Sequence, residues 1–288
     1  MILAWSGILC MYITIVIFMI WHKYSKEKGK VNVILYDSIK KEEELSNTDI
    51  IFIVDGFWAN QKALGTLGKY IIDIDDSETF IERIHNIDQN SNEKKPLSII
   101  LYTTGGSIFN SDMIVEILLS YETEVNIYIP GFAYSAGSMI ALCADKLYMN
   151  KFSVMGPVDP QLSYCINDNG EEDGASAKCF MQLLEEKEEI GDEFYLKALE
   201  SKNLHDDNIE NLRKILQVKN RELTKNKKKK FIEEFASGKR PHHKPFLIEK
   251  VRQLGMPVET PVPEEINKLF SNYVQYKNFM TRLDSIYG

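Results

Sequence analysis

The sequence predicts an α/β fold with a largely parallel sheet, and two observations lead to this prediction. Short runs of β-branched and other apolar residues recur along the chain, and they alternate with glycine-containing loops and amphipathic helical segments. Strand, loop and helix repeated in this order are typical of βαβ units. The chain has 288 residues, of which 44% are hydrophobic and 26% charged, so it can bury a core of ordinary size.

The first feature along the chain is a predicted membrane anchor over residues 1–22. Met1 to Trp21 contain no Asp, Glu, Lys or Arg, and a helix of this length spans about 30 Å, the thickness of a bilayer's hydrocarbon core. Basic residues begin only at Lys23, whereas a cleaved signal peptide carries them before its apolar segment. By the positive-inside rule we expect a single-pass membrane protein whose N-terminal helix contacts lipid and whose body faces the cytoplasm.

Residues 23–47 are interpreted as a juxtamembrane tether with a strand-like piece over 31–36. A core domain is predicted over residues 48–198. Its first strand, 50–54, is a continuous apolar run, the pattern of a strand buried on both faces. Ser77 is expected to cap a helix over 78–87, whose isoleucines recur at helical spacing.

The remaining elements of the core follow the same pattern. They are a strand over 97–102, an amphipathic helix around 113–118, a strand over 125–129, a helix over 138–144 and a short strand over 147–149. From about residue 190 the sequence favours charged helices, so residues 199–288 are predicted to form a mainly helical C-terminal region. The expected core-facing stripe of this region consists of Leu199, Leu212, Ile215 and Leu216.

Charge and cysteine content exclude several classes of protein. The 34 basic and 42 acidic side chains give a formal charge of −8, which argues against a nucleic-acid partner. The four cysteines show no Cys-x-x-Cys spacing, so neither a disulfide framework nor a thiolate zinc site is expected. No metal or organic cofactor is predicted.

The loop of residues 133–137 (AYSAG) lies between a predicted buried strand and a predicted helix. A serine on a sharp strand-to-helix turn presents its hydroxyl outwards, and such a turn requires small neighbours. Ala133, Ala136 and Gly137 meet this requirement. The alternative is that Ser135 only caps the helix that follows.

A second loop, residues 103–107 (TTGGS), ends the preceding strand of the sheet. A glycine pair allows the backbone to approach a substrate closely, and the N–H groups of Gly106 and Ala136 together could form an oxyanion hole beside Ser135. The alternatives for Gly105 and Gly106 are a tight turn or a phosphate cradle. No Gly-Lys-Ser/Thr follows, which excludes a P-loop.

Three motifs together resemble the serine dehydrogenase proteinase family, whose members are related to signal peptide peptidase A and the NfeD proteases within the Clp/crotonase fold. The motifs are 103–107 (TTGGS), 134–142 (YSAGSMIAL) and 156–161 (GPVDPQ), and the resemblance extends over roughly residues 50–262. It implies a Clp/crotonase-like catalytic core made of a spiral of ββα units. It also implies a serine nucleophile at Ser135, a polypeptide substrate and a homo-oligomer.

The general base is the open point of this interpretation. A serine needs a base to take its proton, and the histidine that the Clp pattern would place about 25 residues after Ser135 is missing. The resemblance to the NfeD and signal peptide peptidase relatives implies a lysine instead, and Lys178, among small and apolar neighbours, is the best candidate; it could equally be a surface lysine. A lysine acts as a base only when its pKa is lowered towards neutrality. His242 is the rival base and could also be a polar loop residue.

Three functional hypotheses remain. The first is a membrane-anchored serine peptidase with Ser135 as nucleophile, Lys178 as base, and Gly106 and Ala136 as oxyanion donors. The second is a catalytically inactive oligomeric membrane scaffold of the same fold. The third, an α/β-hydrolase esterase, requires Ser, Asp and His in chain order, which Ser135, Asp168 or Asp173, and His205 or His242 satisfy without further signatures.

Overall fold

The structure is a computed structural model that describes residues 35–54, 72, 74–90, 94–165, 172–186, 191–238 and 244–287, with four single positions between 19 and 26. The chain divides into two compact units. One is Thr48–Val262, and the other combines Met1–Asn47 with Pro263–Gly288.

A five-stranded sheet forms the centre of the Thr48–Val262 unit. Its strands, in spatial order, are β1 (Asp49–Val54), β2 (Leu97–Tyr102), β3 (Val125–Ile129), β5 (Lys146–Met149) and β10 (Val258–Glu259). Every neighbouring pair is parallel. The predicted α/β class with a parallel sheet is therefore confirmed.

The strands form where the sequence has continuous apolar runs because both faces of this sheet are covered. Ile99, Ile100 and Leu101 on β2 are fully buried, although successive side chains of a strand point to opposite faces. Strands β1 and β3 are also buried along almost their whole length. Ile99 and Leu101 belong to the main hydrophobic core, together with every second side chain of β1 and β3.

Three helices follow the first three strands of the sheet: α2 (Ile74–Asn90), α3 (Ile108–Ser120) and α4 (Ala136–Ala141). The prediction that Ser77 caps α2 is wrong. Ser77 lies inside the helix, fully buried, and its hydroxyl donates a hydrogen bond to Asn110 Oδ1 on α3 (3.3 Å). The sequence alone does not distinguish a serine that caps a helix from one that bonds a second helix. Here the hydrogen bond to Asn110 shows that Ser77 has the second role.

Short strands that come after β3 in the chain, outside the five-stranded sheet, complete the unit. They are β4 (Phe132–Ala133), β6 (Val154–Met155) and β9 (Phe246–Leu247) in one small sheet, and the antiparallel hairpin of β7 (Gln161–Cys165) and β8 (Glu172–Ser176). An isolated bridge pairs Thr103 with Ala133, so β4 runs beside the end of β2.

The predicted mainly helical C-terminal region is confirmed. Its helices are α5 (Ala177–Glu186), α6 (Asp192–Val218), α7 (Lys225–Ala236) and α8 (Ile248–Gln253), followed in the second unit by α9 (Glu264–Tyr287). Leu212, Ile215 and Leu216 are fully buried as expected, but Leu199 is 39% exposed. Leu199 lies thirteen positions before Leu212, outside the half of α6 whose apolar side faces the main core.

The N-terminal part of the second unit differs from the expected tether. Residues 35–46 form a helix, α1, so Leu35 and Tyr36 are not in a strand. The strand prediction covered 31–36, and residues 31–34 lie outside the described residues. The Lys and Glu side chains at 40–44 have good helix propensity, which favours a helix over the described residues 35–46.

The predicted single-pass membrane location is wrong. Within the part of the chain that the structure describes, no helix combines the length and the apolar character needed to cross a bilayer. The two longest described helices, α6 and α9, carry acidic and basic side chains along their length. Residues 1–18, on which the anchor and its lipid contact depended, lie outside the described residues.

Candidate active site

The turn between β4 and α4 holds Ser135 in a strained backbone conformation. Its φ of 50° and ψ of −119° are unusual for a residue with a side chain, and such conformations cost about 1 to 3 kcal/mol each. Ser135 occupies the position before the helix, yet its hydroxyl makes no capping hydrogen bond. Ser135 therefore does not act as a simple helix cap, because the hydroxyl of this half-buried residue accepts no hydrogen bond from the N–H groups at the start of α4.

Small residues let this turn press against the end of β2. The Tyr134 N–H donates to Thr103 O (3.0 Å), and the Gly137 N–H donates to Tyr134 O (2.8 Å). A methyl group in place of the Gly137 hydrogen would lie 2.4 Å from Thr103 Cγ2. The predicted need for small neighbours is thus met by contact with a neighbouring strand.

The structure brings the two predicted loops together. Gly105 has a φ of 112°, a left-handed conformation that favours glycine. A methyl group at Gly105 would lie 2.8 Å from Ser135 Cβ and 3.4 Å from Ala136 N. The first glycine therefore lies directly against the serine, and any side chain there would collide with it.

Gly106 makes a different close approach. The Ile72 N–H donates to Gly105 O (2.7 Å), and the Ser107 N–H donates to Ile72 O (2.9 Å). A methyl group at Gly106 would lie 2.2 to 2.7 Å from the O, N and Cα atoms of Ile72. The sequence predicted that the pair approaches a substrate, but the second glycine is required by its contact with another part of the chain.

The direction of the Gly106 N–H follows from this pairing. In a trans peptide the N–H points opposite to the preceding C=O, and the Gly105 C=O points to Ile72. The Gly106 N–H therefore points away from Ile72, and it has no acceptor among the described residues. The Gly105 N–H, in contrast, already donates to Thr103 Oγ1 (3.0 Å).

Residues 156–160, which we call the support segment, hold the serine turn from behind. Ser138 Oγ lies 2.8 Å from Ala133 O and 2.8 Å from Gly156 O, and it accepts a hydrogen bond from the Gly156 N–H (3.0 Å). The Tyr134 ring occupies the place of a Gly156 side chain, since a methyl group there would lie 2.1 Å from Tyr134 Cδ1. Tyr134 thus packs on the support segment.

The support segment also fixes two later helices. The Ala177 N–H at the start of α5 donates to Pro160 O (2.8 Å), and the Val158 N–H donates to Phe235 O near the end of α7 (2.7 Å). The Asn208 amide on α6 donates to Val158 O (2.7 Å). One short segment therefore joins the serine turn to the C-terminal helices.

Lys178 is the second residue of α5, one position after the anchored Ala177. It is half-buried, and among the described residues its ammonium has no hydrogen-bond or ion-pair partner. Its aliphatic stem lies against Gly238, just beyond α7: a methyl group at Gly238 would be 2.9 Å from Lys178 Cβ. The structure thus connects Lys178 to the serine turn through the support segment.

The remaining candidate residues lie on other elements or outside the described residues. His242 and Asp168 belong to segments that the structure does not describe, and His205 lies on α6. Asp159 is buried and accepts a hydrogen bond from Gln161 Nε2 (2.9 Å), a local contact that fixes its own turn. Within the described ranges, no group of three or more His, Cys, Asp or Glu side chains could hold a metal ion.

Sequence reasoning missed three features of the site. Ile72 pairs with Gly106, Ser138 binds the support segment, and Gly238 contacts Lys178. The glycine at 238 gave a signal, since it follows a helix and precedes a basic stretch. Nothing in the local sequence identifies the partners, because each contact joins residues at least 18 positions apart.

Comparisons with known proteins agree with this architecture. A family model described as ClpP-like SDH-type serine proteinase, where SDH stands for serine dehydrogenase, matches residues 3–286. The uncharacterized protein MJ1495 of Methanocaldococcus jannaschii is 30% identical over 240 residues, which cover 82% of this chain and 75% of the relative. A second protein of that organism, MJ0137, is 29% identical over 220 residues, covering 75% of this chain and 71% of the relative.

Among solved structures, a mutant of the 1510-N membrane-bound stomatin-specific protease is similar with a TM-score of 0.45 and 20% identity. The match covers 70% of this chain and 79% of that protein. A ClpP1 mutant from Listeria monocytogenes is similar with a TM-score of 0.47 and 13% identity, covering 78% of this chain and 98% of the other.

Proposed function

Because the chain belongs to the family of ClpP-like SDH-type serine proteinases, we propose that it hydrolyses peptide bonds with Ser135 as the nucleophile. The single observation that carries this proposal is the Ser135 turn. Its strained backbone, its hydroxyl without a capping bond and the contact with Gly105 are what a nucleophile on a strand-to-helix turn requires. A serine with a purely structural role has no need of such strain.

Two backbone N–H groups are suited to stabilise the developing negative charge. The Gly106 N–H points away from Ile72 and has no acceptor among the described residues, and the Ala136 N–H directly follows the nucleophile. Gly105, between them, lies against the Ser135 Cβ. Donors fixed by the backbone before the reaction lower the barrier without reorganisation, and one such donor is worth about 3 to 4 kcal/mol.

Lys178 is the proposed general base. Its neutral amine would accept the Ser135 proton as the hydroxyl oxygen bonds to the peptide carbonyl carbon. The resulting ammonium would then give this proton to the departing amine as the peptide C–N bond breaks. Water would hydrolyse the acyl-serine by the same route. The position of α5 on the support segment favours this role, because the serine turn rests on that segment too.

We propose a polypeptide substrate and a homo-oligomeric assembly. An exposed apolar pair, Tyr195 and Leu196 on α6, supports association between copies, since large exposed apolar side chains on one helix favour burial at an interface.

A fluorophosphonate probe tests the proposed chemistry, because it forms a covalent bond only with an activated serine. Labelling of the full chain is expected to disappear in Ser135→Ala and to slow about 100-fold or more in Lys178→Ala, the usual contribution of a general base. Ser120→Ala and Lys227→Ala are matched controls, since both side chains are exposed and neither residue is part of the proposed site. Both controls should label like the wild type.

Each alternative has its own outcome in this experiment. Labelling that survives Lys178→Ala but not His242→Ala would transfer the role of base to His242. The absence of any labelling in the wild-type chain would instead favour the inactive scaffold of the same fold.

A further inference from the structure

We propose that Gly238 is a positioning residue that sets where the Lys178 amine can reach. This inference rests on the proposed function, in which Lys178 is the base. It concerns a residue that touches neither substrate nor the reacting atoms, and that would act only through the lysine side chain lying on it.

The contact follows the stem of the lysine. A methyl group at Gly238 would lie 2.9 Å from Lys178 Cβ, 3.2 Å from Cδ and 3.6 Å from Cγ. Three successive carbons of one side chain therefore run along the Cα of the glycine. Any side chain at 238 would have to displace this stem, because its Cβ would lie 2.9 Å from Lys178 Cβ, closer than real Cβ atoms approach other atoms.

The conformation of Gly238 is also specific. Its φ of 63° is left-handed, which residues other than glycine and asparagine seldom adopt. This turn ends α7 one residue after the helix cap Ser237. The left-handed residue presents its open Cα face to the lysine, so conformation and contact both require glycine.

Neither side of the contact can move away easily. Ala177, next to the lysine, is buried and bonded to Pro160. Near the glycine, Phe235 is bonded to Val158, and its ring stacks on Phe231 and Phe246 with centroid distances of 4.4 and 4.5 Å. Both partners are thus fixed to the support segment, and a side chain at 238 would have to displace the lysine stem.

The expected consequence is a change in position at the tip of the side chain. Lysine has four rotatable bonds, and contact along Cβ, Cγ and Cδ restricts the inner ones. Deflecting the stem by an ångström moves the amine by at least as much. Misplacement of a reacting group by about 1 Å costs up to about 100-fold in rate.

The test compares Gly238→Ala with Gly238→Asn in the full chain. Both variants add a Cβ at the contact, but asparagine tolerates the left-handed conformation better than alanine does. Gly191→Ala is the matched control, because a methyl group there meets nothing within 4 Å and its φ is −62°. The rate of fluorophosphonate labelling of Ser135 is measured from about pH 6 to 10, together with the thermal midpoint.

The proposal predicts that both Gly238 variants label about 10-fold to 100-fold more slowly than Gly191→Ala. The asparagine variant should recover much of the thermal midpoint that the alanine variant loses, without recovering the rate. The pH of half-maximal labelling should also shift in both Gly238 variants and stay unchanged in Gly191→Ala, since only the former move the amine into new surroundings.

Three results would overturn the proposal. If rate and midpoint recover together in Gly238→Asn, the glycine has a structural role only. If Gly238→Ala labels like Gly191→Ala while Lys178→Ala is inactive, the dyad stands and the role given to Gly238 fails. If Lys178→Ala labels as fast as the wild-type chain, or if the wild-type chain does not label at all, Lys178 is not the base. The proposed function then fails at that point, and the positioning role of Gly238 fails with it.

Discussion

Asp112 on α3 carries a buried carboxyl oxygen, Oδ1, that has no hydrogen-bond partner among the described residues. Burial is the main cause that raises the pKa of Asp112 to about 6; a hydrogen bond with Asn211 opposes this rise, and the nearby carboxylates of Asp207 and Glu116 contribute to it. The folded state therefore holds this proton more tightly than the unfolded chain does.

The consequence for stability has a definite sign. The folded pKa lies above the ordinary value of 3.8, so the contribution of Asp112 to stability is fully present below about pH 4 and is lost as the pH rises through about 6. Above that pH an ionised carboxylate remains in a poorly hydrated place.

We predict that Asp112→Asn stabilises the protein at pH 7.5 by about 1 kcal/mol, since the side chain is only partly buried and solvent screens its charge. The gain should shrink to near zero below about pH 4, where Asp112 is protonated in both states. Urea unfolding at the two pH values measures the difference, with the exposed Asp206→Asn as control. A loss of stability at both pH values would contradict the assignment of a penalty to the charge.

For Gly105 and Gly106, the sequence predicts that a close contact is made but not which residue makes it. The sequence predicts that Gly105 and Gly106 are needed for close approach, and both are, but to the protein itself. Gly105 approaches Ser135 and Gly106 approaches Ile72. The local sequence indicates that a side chain would not fit at these two positions. It does not identify the residue in contact, because each partner lies 30 or more positions away in the chain.

At the scale of elements, the support segment is the part on which the serine turn, α5 and α7 all depend. Its link to the turn is Ser138, a fully buried serine on α4 whose hydroxyl lies within hydrogen-bond distance of Ala133 O, Gly156 O and Gly156 N. Removal of this hydroxyl leaves a buried carbonyl without its partner.

We predict that Ser138→Ala lowers the free energy of unfolding by about 1 to 3 kcal/mol, the cost of leaving buried polar groups unpaired. Ser120→Ala is the matched control, because its hydroxyl is exposed and bonds only Ile117 O within its own helix, so its effect should stay within about 0.5 kcal/mol. Chemical denaturation of both variants gives the comparison. Equal effects would show that the Ser138 bonds do not stabilise the fold.

Elements could be predicted where one physical cause dominates. The strands β1, β2 and β3 are mostly apolar because both of their faces are buried, so their positions follow from the sequence alone. The two-residue strands β4, β6, β9 and β10 could not be predicted. Such short segments have no periodicity, and the pairing of Val258 with Leu147 depends on chain folding across 111 positions.

For the whole molecule, the resemblance inferred from three motifs is confirmed, because the family model covers residues 3–286. The inference depended on the combination of three motifs, two of which include loops that follow strands. Loop residues that take part in chemistry must be of particular types, whereas many apolar residues can serve equally well inside a helix or a strand. The single-pass location was wrong, because no helix among the described residues is long and apolar enough to cross a bilayer.

The division into two units leads to a prediction about autonomy. The large parallel sheet, the small sheet and the main hydrophobic core all belong to Thr48–Val262. We predict that a chain limited to residues 48–262 unfolds in one cooperative thermal transition and keeps its mixed α/β circular dichroism, because a unit with its own core folds alone. A broad transition without pretransition baseline would contradict this expectation.

The bond between Val158 and Phe235 has a consequence for biosynthesis. Phe235 is translated 100 residues after Ser135, so at ribosomal speeds the hydroxyl waits about 5 to 20 s before the last part of its scaffold emerges. During that interval the nascent chain contains Ser135 but lacks the bond between Val158 and Phe235. The activity proposed for Ser135 is therefore delayed until Phe235 has been synthesised and bonded to Val158.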